Sequence, residues 1–258
     1  MMTSPPRNSH LLSVGGLDPS GHAGVLADAR VFQKYHIPYR AVLTAVTAQS
    51  EKKFLGWRPV AVDLFRKQLS AVEGKVFGVK IGMIATPHHA RILSKWLQKI
   101  KPRHVLWDPV LQSSTGARLL QARRWGPALQ GLLECTHVFT PNLPEAEWIL
   151  GKKISNLKEM EIAAERLHQL AKKGKRCVLL KGGHLPRPSS RENVTDIYFN
   201  GVNLKRISAR AVSGERRGTG CTLGAAMLAE LFRGRGGLDA ARRAKRYVLQ
   251  NVFDSAHP

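Results

Sequence analysis

Four consecutive residues, Gly218-Thr219-Gly220-Cys221, set two turn-forming glycines and a thiol immediately ahead of the small-residue run LGAAMLAEL. A backbone bent through Gly218, Thr219 and Gly220 can aim several N–H groups at one anion, and the positive end of a following helix adds to them. The segment is neither a dinucleotide G-x-G-x-x-G nor a Walker loop, which ends in G-K-[ST]. A thiolate at Cys221 would be stabilised by the same helix end and could serve as a base toward a hydroxyl. Packing as a small buried side chain is the competing reading. Arg216 and Arg217 precede the loop; they either clamp a phosphate or add to a basic surface.

Three further positions suit phosphate chemistry. In TPNLPEAEWILG, Asn142 and Glu145 bracket a strand-to-helix junction, and Pro144 fits a first helical turn. Glu145 can hold Mg²⁺, directly or through water, or can simply complement the helix dipole. In VLLKGGH, Lys181 ends an apolar run before two glycines and suits the β- and γ-phosphates of a nucleotide as a point charge. Asp108, closing HVLWD ahead of Pro109, can approach the metal or the phosphates, or can be a plain turn residue.

The elements that must position these groups alternate between strands and helices. Strands are expected at 10–16, 40–49, 75–82, 103–110, 136–142 and 176–183, each rich in Leu or β-branched residues and several ending in Gly, Asn or Asp. A helix is expected where Leu157, Met160, Ala164, Leu167 and Ala171 recur at helical spacing, with Gly174 as its stop signal. Asn200-Gly201 predicts a hairpin within 194–207. Helices follow from about Thr219 to Arg233 and from about Leu238 to Phe253. Strand–helix alternation implies an α/β fold, a mostly parallel sheet with helices on both faces. In such sheets ligands bind beyond the carboxyl ends of the strands. Gly16, Gln49, Gly82, Asp108, Asn142 and Lys181 then share one edge. A loose start over residues 1–9 and a single domain over 10–258 are expected.

The 258 residues carry 41 Lys and Arg against 18 Asp and Glu, a formal charge of +23 that draws anions such as nucleotides and phosphorylated metabolites. No aromatic residues interleave the basic clusters and no nucleic-acid motif is present, so no specific nucleic-acid partner is expected. No apolar run approaches the length of a membrane span, and the first residues do not read as a secretory signal. Three dispersed cysteines without metal-ligand spacing point to a reduced, cytoplasmic chain.

Taken in order, SVGGLDPSGHAGVLADARVF, LTAVTAQS, VKIGMI, WDPVLQSSTGARLL, TPNLPEAEWILG, VLLKGGHL and GTGCTLGAAMLAEL resemble the hydroxymethylpyrimidine/phosphomethylpyrimidine kinases of the ribokinase-like superfamily. The resemblance spans about residues 10 to 250. It implies a three-layer α/β/α fold and two ATP- and Mg²⁺-dependent phosphorylations of a small pyrimidine in thiamine biosynthesis. It further implies that Asp28 and Gln49 meet the aminopyrimidine edge and that Gly16 and Met83 line its pocket. Lys181, Asn142, Thr219 and the Gly218–Gly220 loop would hold phosphates, Glu145 and Asp108 would organise Mg²⁺, and Cys221 would be the base. Members are often dimers, which makes a homodimer an expected assembly. Related pyridoxal or pyridoxine kinases, and a pyrimidine-binding module with weak transfer, stand as alternatives. Two departures from the family pattern stand out. His22 replaces a glycine of SGGAG, and Arg216-Arg217 replace small polar residues before GTG.

Overall fold

Residues 9–17, SHLLSVGGL, are buried along almost their whole length, as a strand covered on both faces must be. Leu11 and Leu12 point to opposite sides and enter two separate cores. The computed structural model describes residues 6, 8–50, 53–113, 116–122, 124–171, 176–185, 193–211 and 217–253. Within them the chain runs β1 (Ser9–Leu17), α1 (Gly24–Lys34), β2 (Tyr39–Gln49), β3 (Phe54–Pro59), α2 (Val62–Ser70), β4 (Lys75–Ile81), α3 (Pro87–Ile100) and β5 (His104–Trp107). It continues α4 (Pro127–Glu134), β6 (Val138–Phe139), α5 (Leu143–Leu150), α6 (Leu157–Leu170), β7 (Cys177–Leu180), β8 (Asn193–Phe199), β9 (Leu204–Arg210), α7 (Thr219–Phe232) and α8 (Gly237–Val248), closing in a π-helical turn, Leu249–Phe253.

One sheet holds every strand, in the order β3-β2-β1-β4-β5-β6-β7-β8-β9. The six strands from β2 to β7 are parallel, while β3, β8 and β9 join antiparallel at the two ends. On one face α2 to α6 bury Phe65, Leu93, Leu132, Ala146 and Met160. On the other, α1, α7 and α8 bury Phe32, Leu228 and Ala241. Helices on both faces leave the central strands without a solvated side, hence their near-continuous apolar sequences.

The expected strands at 103–110, 136–142 and 176–183 are shorter than their apolar runs. β6 pairs continuously over only Val138 and Phe139; beyond them a single parallel bridge, Asn142 with Lys181, rejoins β7, the Lys181 N–H donating to the Pro141 carbonyl at 2.9 Å. β3 was not expected; its Gly56 and Pro59 read as loop, and only an edge strand tolerates both. The hairpin at Asn200-Gly201 forms, with Gly201 at φ 91°. α6 takes Asn156 as its cap and buries Met160, Ala164 and Leu167 as the spacing predicts. Its expected stop Gly174, residues 1–5 and 7 of the expected loose start, and Arg216 lie outside the described residues.

Candidate active site

β2 and β4 flank β1 on opposite sides, so the sheet reverses its winding direction there, the place where α/β folds open a ligand crevice. Near the end of the first strand, a register shift against β2 falls between Gly15 and Gly16. A Cβ on Gly16 would stand 3.0 Å from the Met83 sulfur, so glycine lets the Met83 side chain lie across the strand end. Met83 packs there with Ala45, Ala85 and Leu119, and Thr44 Oγ1 donates to its carbonyl at 2.6 Å. Gly16 and Met83 are thus neighbours.

The DPSGHAG loop is tied down by Asp18. Its carboxylate accepts from the Ser20 N–H and hydroxyl and, at 3.0 Å, from the Ala23 N–H. The loop then meets the start of α7 so closely that only glycine fits. Gly218 has φ 79°, and a Cβ there would fall 1.7 Å from the His22 carbonyl oxygen. His22 itself is exposed, with Nδ1 3.3 Å from the Ser20 hydroxyl.

At the far side of the crevice, Lys181 Nζ donates to Asp108 Oδ1 at 2.5 Å. Gly220 faces this pair: a Cβ would lie 3.2 Å from Lys181 Nζ and 3.7 Å from Asp108 Oδ2. The glycine loop, Lys181 and Asp108 therefore converge. Burial works against the Lys181 ammonium, but Asp108 and Glu145 overcome it and hold its pKa above the ordinary value. Beneath Gly182, Asp196 Oδ1 accepts the Gly182 N–H at 2.9 Å while Lys245 Nζ holds Asp196 Oδ2 at 2.7 Å. This buried link fixes the backbone that follows Lys181.

Asn142 and Glu145 form a capping box at α5: Asn142 Oδ1 accepts the Glu145 N–H at 2.9 Å and Glu145 Oε2 accepts the Asn142 N–H at 2.7 Å. The structural role considered for Glu145 is therefore present. Burial nonetheless pushes its carboxyl up to about 7, with Asp108 adding to the shift and Lys181 opposing it. Among the described residues no three His, Cys, Asp or Glu gather as a metal cage. Asp108 and Glu145, both coupled electrostatically to Lys181, offer oxygen ligands only, which fits a hard cation that shares its shell with phosphates and water.

Cys221 is 8% exposed in the first turn of α7. Burial raises the thiol pKa; Lys80 and the Gly24 N–H oppose the shift, and Asp108 and Asp28 add to it. Lys80, on β4, is fully buried and was absent from the expected site. Its Nζ lies 2.7 Å from Asp28 Oδ1, and the Ser13 hydroxyl donates to Asp28 Oδ2 at 2.5 Å. Burial opposes the Lys80 charge, but Asp28, Cys221 and Asp108 more than compensate and raise its pKa. Asp28 is only 1% exposed, and in this structure its oxygens are engaged by Lys80 and Ser13. It is the counter-ion to Lys80.

Gln49, half-buried at the end of β2, accepts a hydrogen bond from Arg217 Nη2 on its Oε1 at 2.5 Å. Arg217 Nη1 donates to the carbonyl oxygen of Ser50. Arg217 thus joins the strand end to the glycine loop.

With a lysine, a carboxylate pair, a glycine-cradled helix start and a thiol at one sheet edge, the comparisons with known proteins become specific. The phosphomethylpyrimidine kinase family model matches residues 18–258. The chain belongs to that family. The hydroxymethylpyrimidine/phosphomethylpyrimidine kinase of Aquifex aeolicus (strain VF5) is 32% identical over 247 residues, covering 95% of this chain and 94% of its own. The phosphomethylpyrimidine kinase structure from Clostridium difficile 630 matches with a TM-score of 0.78 at 30% identity, over 95% of this chain and 100% of that one. The ADP complex of Bacillus subtilis pyridoxal kinase matches with a TM-score of 0.79 at 26% identity, over 93% of this chain and 90% of that one. This member of the phosphomethylpyrimidine kinase family has the ribokinase-like three-layer α/β/α fold expected from its motifs. No helix among its described residues is long and apolar enough to cross a membrane.

Proposed function

We propose that the protein transfers a phosphoryl group from ATP to the hydroxymethyl oxygen of 4-amino-5-hydroxymethyl-2-methylpyrimidine, and a second to the resulting monophosphate, in thiamine biosynthesis. The observation that carries this reading is the meeting of Lys181, Asp108, Gly220 and Cys221 at the start of α7 in a chain of this family. Phosphoryl transfer calls mainly for positioning and for fixed positive charge around the equatorial oxygens. Lys181 supplies the charge, and the N–H groups of Gly218, Thr219 and Gly220 at the helix start supply oriented dipoles. Asn142 keeps its side-chain NH₂ for a phosphate oxygen, since its Oδ1 is used in the capping box. Glu145 and Asp108 would hold Mg²⁺ together with the phosphates; when bound, it neutralises charge on the transferring group.

In the first step the hydroxymethyl oxygen forms a bond to the γ-phosphorus. The bond from that phosphorus to the β,γ-bridging oxygen breaks, and ADP leaves. The hydroxyl proton passes to the Cys221 sulfur, which must first be a thiolate. Lys80 below and the Gly24 N–H beside it favour that form against the cost of burial. The second step attacks with a phosphate oxygen that is already anionic and needs no base. Gln49 faces the pyrimidine edge, Gly16 and Met83 line the ring pocket, and residues 10–258 act as one kinase domain in the cytoplasm. A homodimer is the assembly that accompanies this reading.

Product analysis with the pyrimidine, ATP and Mg²⁺ tests the proposal: both mono- and diphosphate are expected, and ADP formation with neither would overturn it. Cys221→Ala should slow alcohol phosphorylation by about 10²–10⁴-fold while largely sparing the monophosphate. Equal losses in both steps would refute the base assignment. A pyridoxal kinase is the second reading, favoured by the likeness to the Bacillus subtilis enzyme at 26% identity. Parallel assays with pyridoxal separate the two.

A further inference from the structure

Arg217 stands where family resemblance offers no explanation, and its contacts are specific. From the residue before Gly218, the guanidinium reaches 168 residues back along the chain to Gln49 Oε1, with a second bond to the Ser50 carbonyl. A guanidinium carries donors only, whereas a primary carboxamide has donors on one arm and an acceptor on the other. Turning the Gln49 amide over would set its NH₂ against the guanidinium, donor facing donor. Arg217 therefore permits one of the two flip states and excludes the other. In the permitted state Oε1 keeps its second lone pair beside the Nε2 hydrogens, an acceptor and a donor in fixed order.

We infer that Arg217 is a specificity-determining residue that locks the Gln49 amide, so that the site takes a ring edge with an exocyclic amino donor beside an acceptor nitrogen and rejects the reverse order. The inference rests on the reading that Gln49 faces the aminopyrimidine. The 4-oxo counterpart of the substrate provides the contrast. Its ring nitrogen carries a hydrogen and its exocyclic atom is an acceptor, so its edge has the opposite order at nearly the same shape. A freely flipping glutamine would satisfy either ring; a locked one leaves the oxo form with like groups opposed. Arg217 acts through Gln49 and so belongs to ring selection rather than to transfer.

Calorimetric titration of the full chain without nucleotide tests this, using 4-amino-5-hydroxymethyl-2-methylpyrimidine and 5-hydroxymethyl-2-methylpyrimidin-4-one as ligands. The wild type should prefer the amino ring. Arg217→Ala should shrink that preference by about tenfold or more, mainly through tighter binding of the oxo ring. Arg217→Lys keeps a donor on the Oε1 side and should lie between the two. In kinetics with the amino ring, the Ala variant should change KM for the pyrimidine more than kcat. If Arg217 merely supported the loop, both rings would weaken together. An unchanged preference in Arg217→Ala would overturn the inference alone. A wild type that binds neither ring would overturn the pyrimidine reading and this inference with it.

Discussion

The deepest charge in the site, Lys80, gives the sharpest test of how the fold supports it. The Lys80 and Asp28 side chains are 0% and 2% exposed and stand 2.7 Å apart. Replacing Lys80 by Met keeps the apolar length of the side chain but leaves Asp28 without its counter-ion. Breaking a buried pair in this way costs about 3–5 kcal/mol. For a domain of this size each kcal/mol lowers Tm by about 2–4 °C, so a fall of roughly 6–20 °C is expected. The loss should depend on pH. Burial already raises the Asp28 carboxyl, and Lys80 is the largest influence opposing it. Without Lys80 the folded-state pKa climbs further above the unfolded value, so the protonated form stabilises the fold at low pH and that stability is lost as pH rises. Lys80→Met should therefore be less damaging at pH 5 than at pH 8. The double variant Lys80→Met/Asp28→Leu, which removes both charges, should recover most of the loss. Urea unfolding of the four proteins at both pH values closes the cycle. A single-variant cost below about 1 kcal/mol, or a double-variant cost equal to the sum of the singles, would refute the argument.

Gly218→Ala should cost about 1–3 kcal/mol through its left-handed backbone. It should also push the His22 carbonyl away, lowering kcat by about a hundredfold; an unchanged kcat in a folded variant would contradict this. Glu145→Gln preserves the capping box but removes a carboxyl whose pKa burial lifts to about 7 from an ordinary 4.5. Because the raised group binds a proton in the folded state that the unfolded state has released, wild-type stability should fall between pH 4.5 and about 7. The variant should gain relative to wild type across that window in melts without nucleotide or cation, and a constant difference would count against the assignment.

Much of the candidate site was legible because its residues sit at strand ends, where Gly16, Gln49, Asp108, Asn142 and Lys181 interrupt apolar runs. A parallel sheet with helices on both faces brings those interruptions to one edge without further information. Lys80 was missed for the opposite reason. It lies inside the run FGVKIG, where a lysine looks like a solvent-facing strand position until the strand is known to be covered on both faces. The available signal was that a lysine in a central parallel strand needs a buried carboxylate. That same need accounts for the burial of Asp28, whose place on α1 gave no hint of depth. Arg217 could be noticed as a departure but not placed, since its reach to Gln49 depends on how two distant loops come together. β3 escaped because edge strands tolerate the Gly and Pro that usually mark a loop.

The contact between Gly218 and the His22 carbonyl also bears on when the protein becomes active. The segment that closes the crevice lies near the end of the chain, whereas the strand and loop it closes upon lie near the beginning. A nascent chain can assemble much of the sheet as it emerges, yet its candidate site stays incomplete until α7 has left the ribosome and docked. Such a high contact order makes this closure a slow folding event. Until then the faces of α1, β4 and β5 that α7 packs against wait uncovered, and chaperone binding during synthesis should concentrate there.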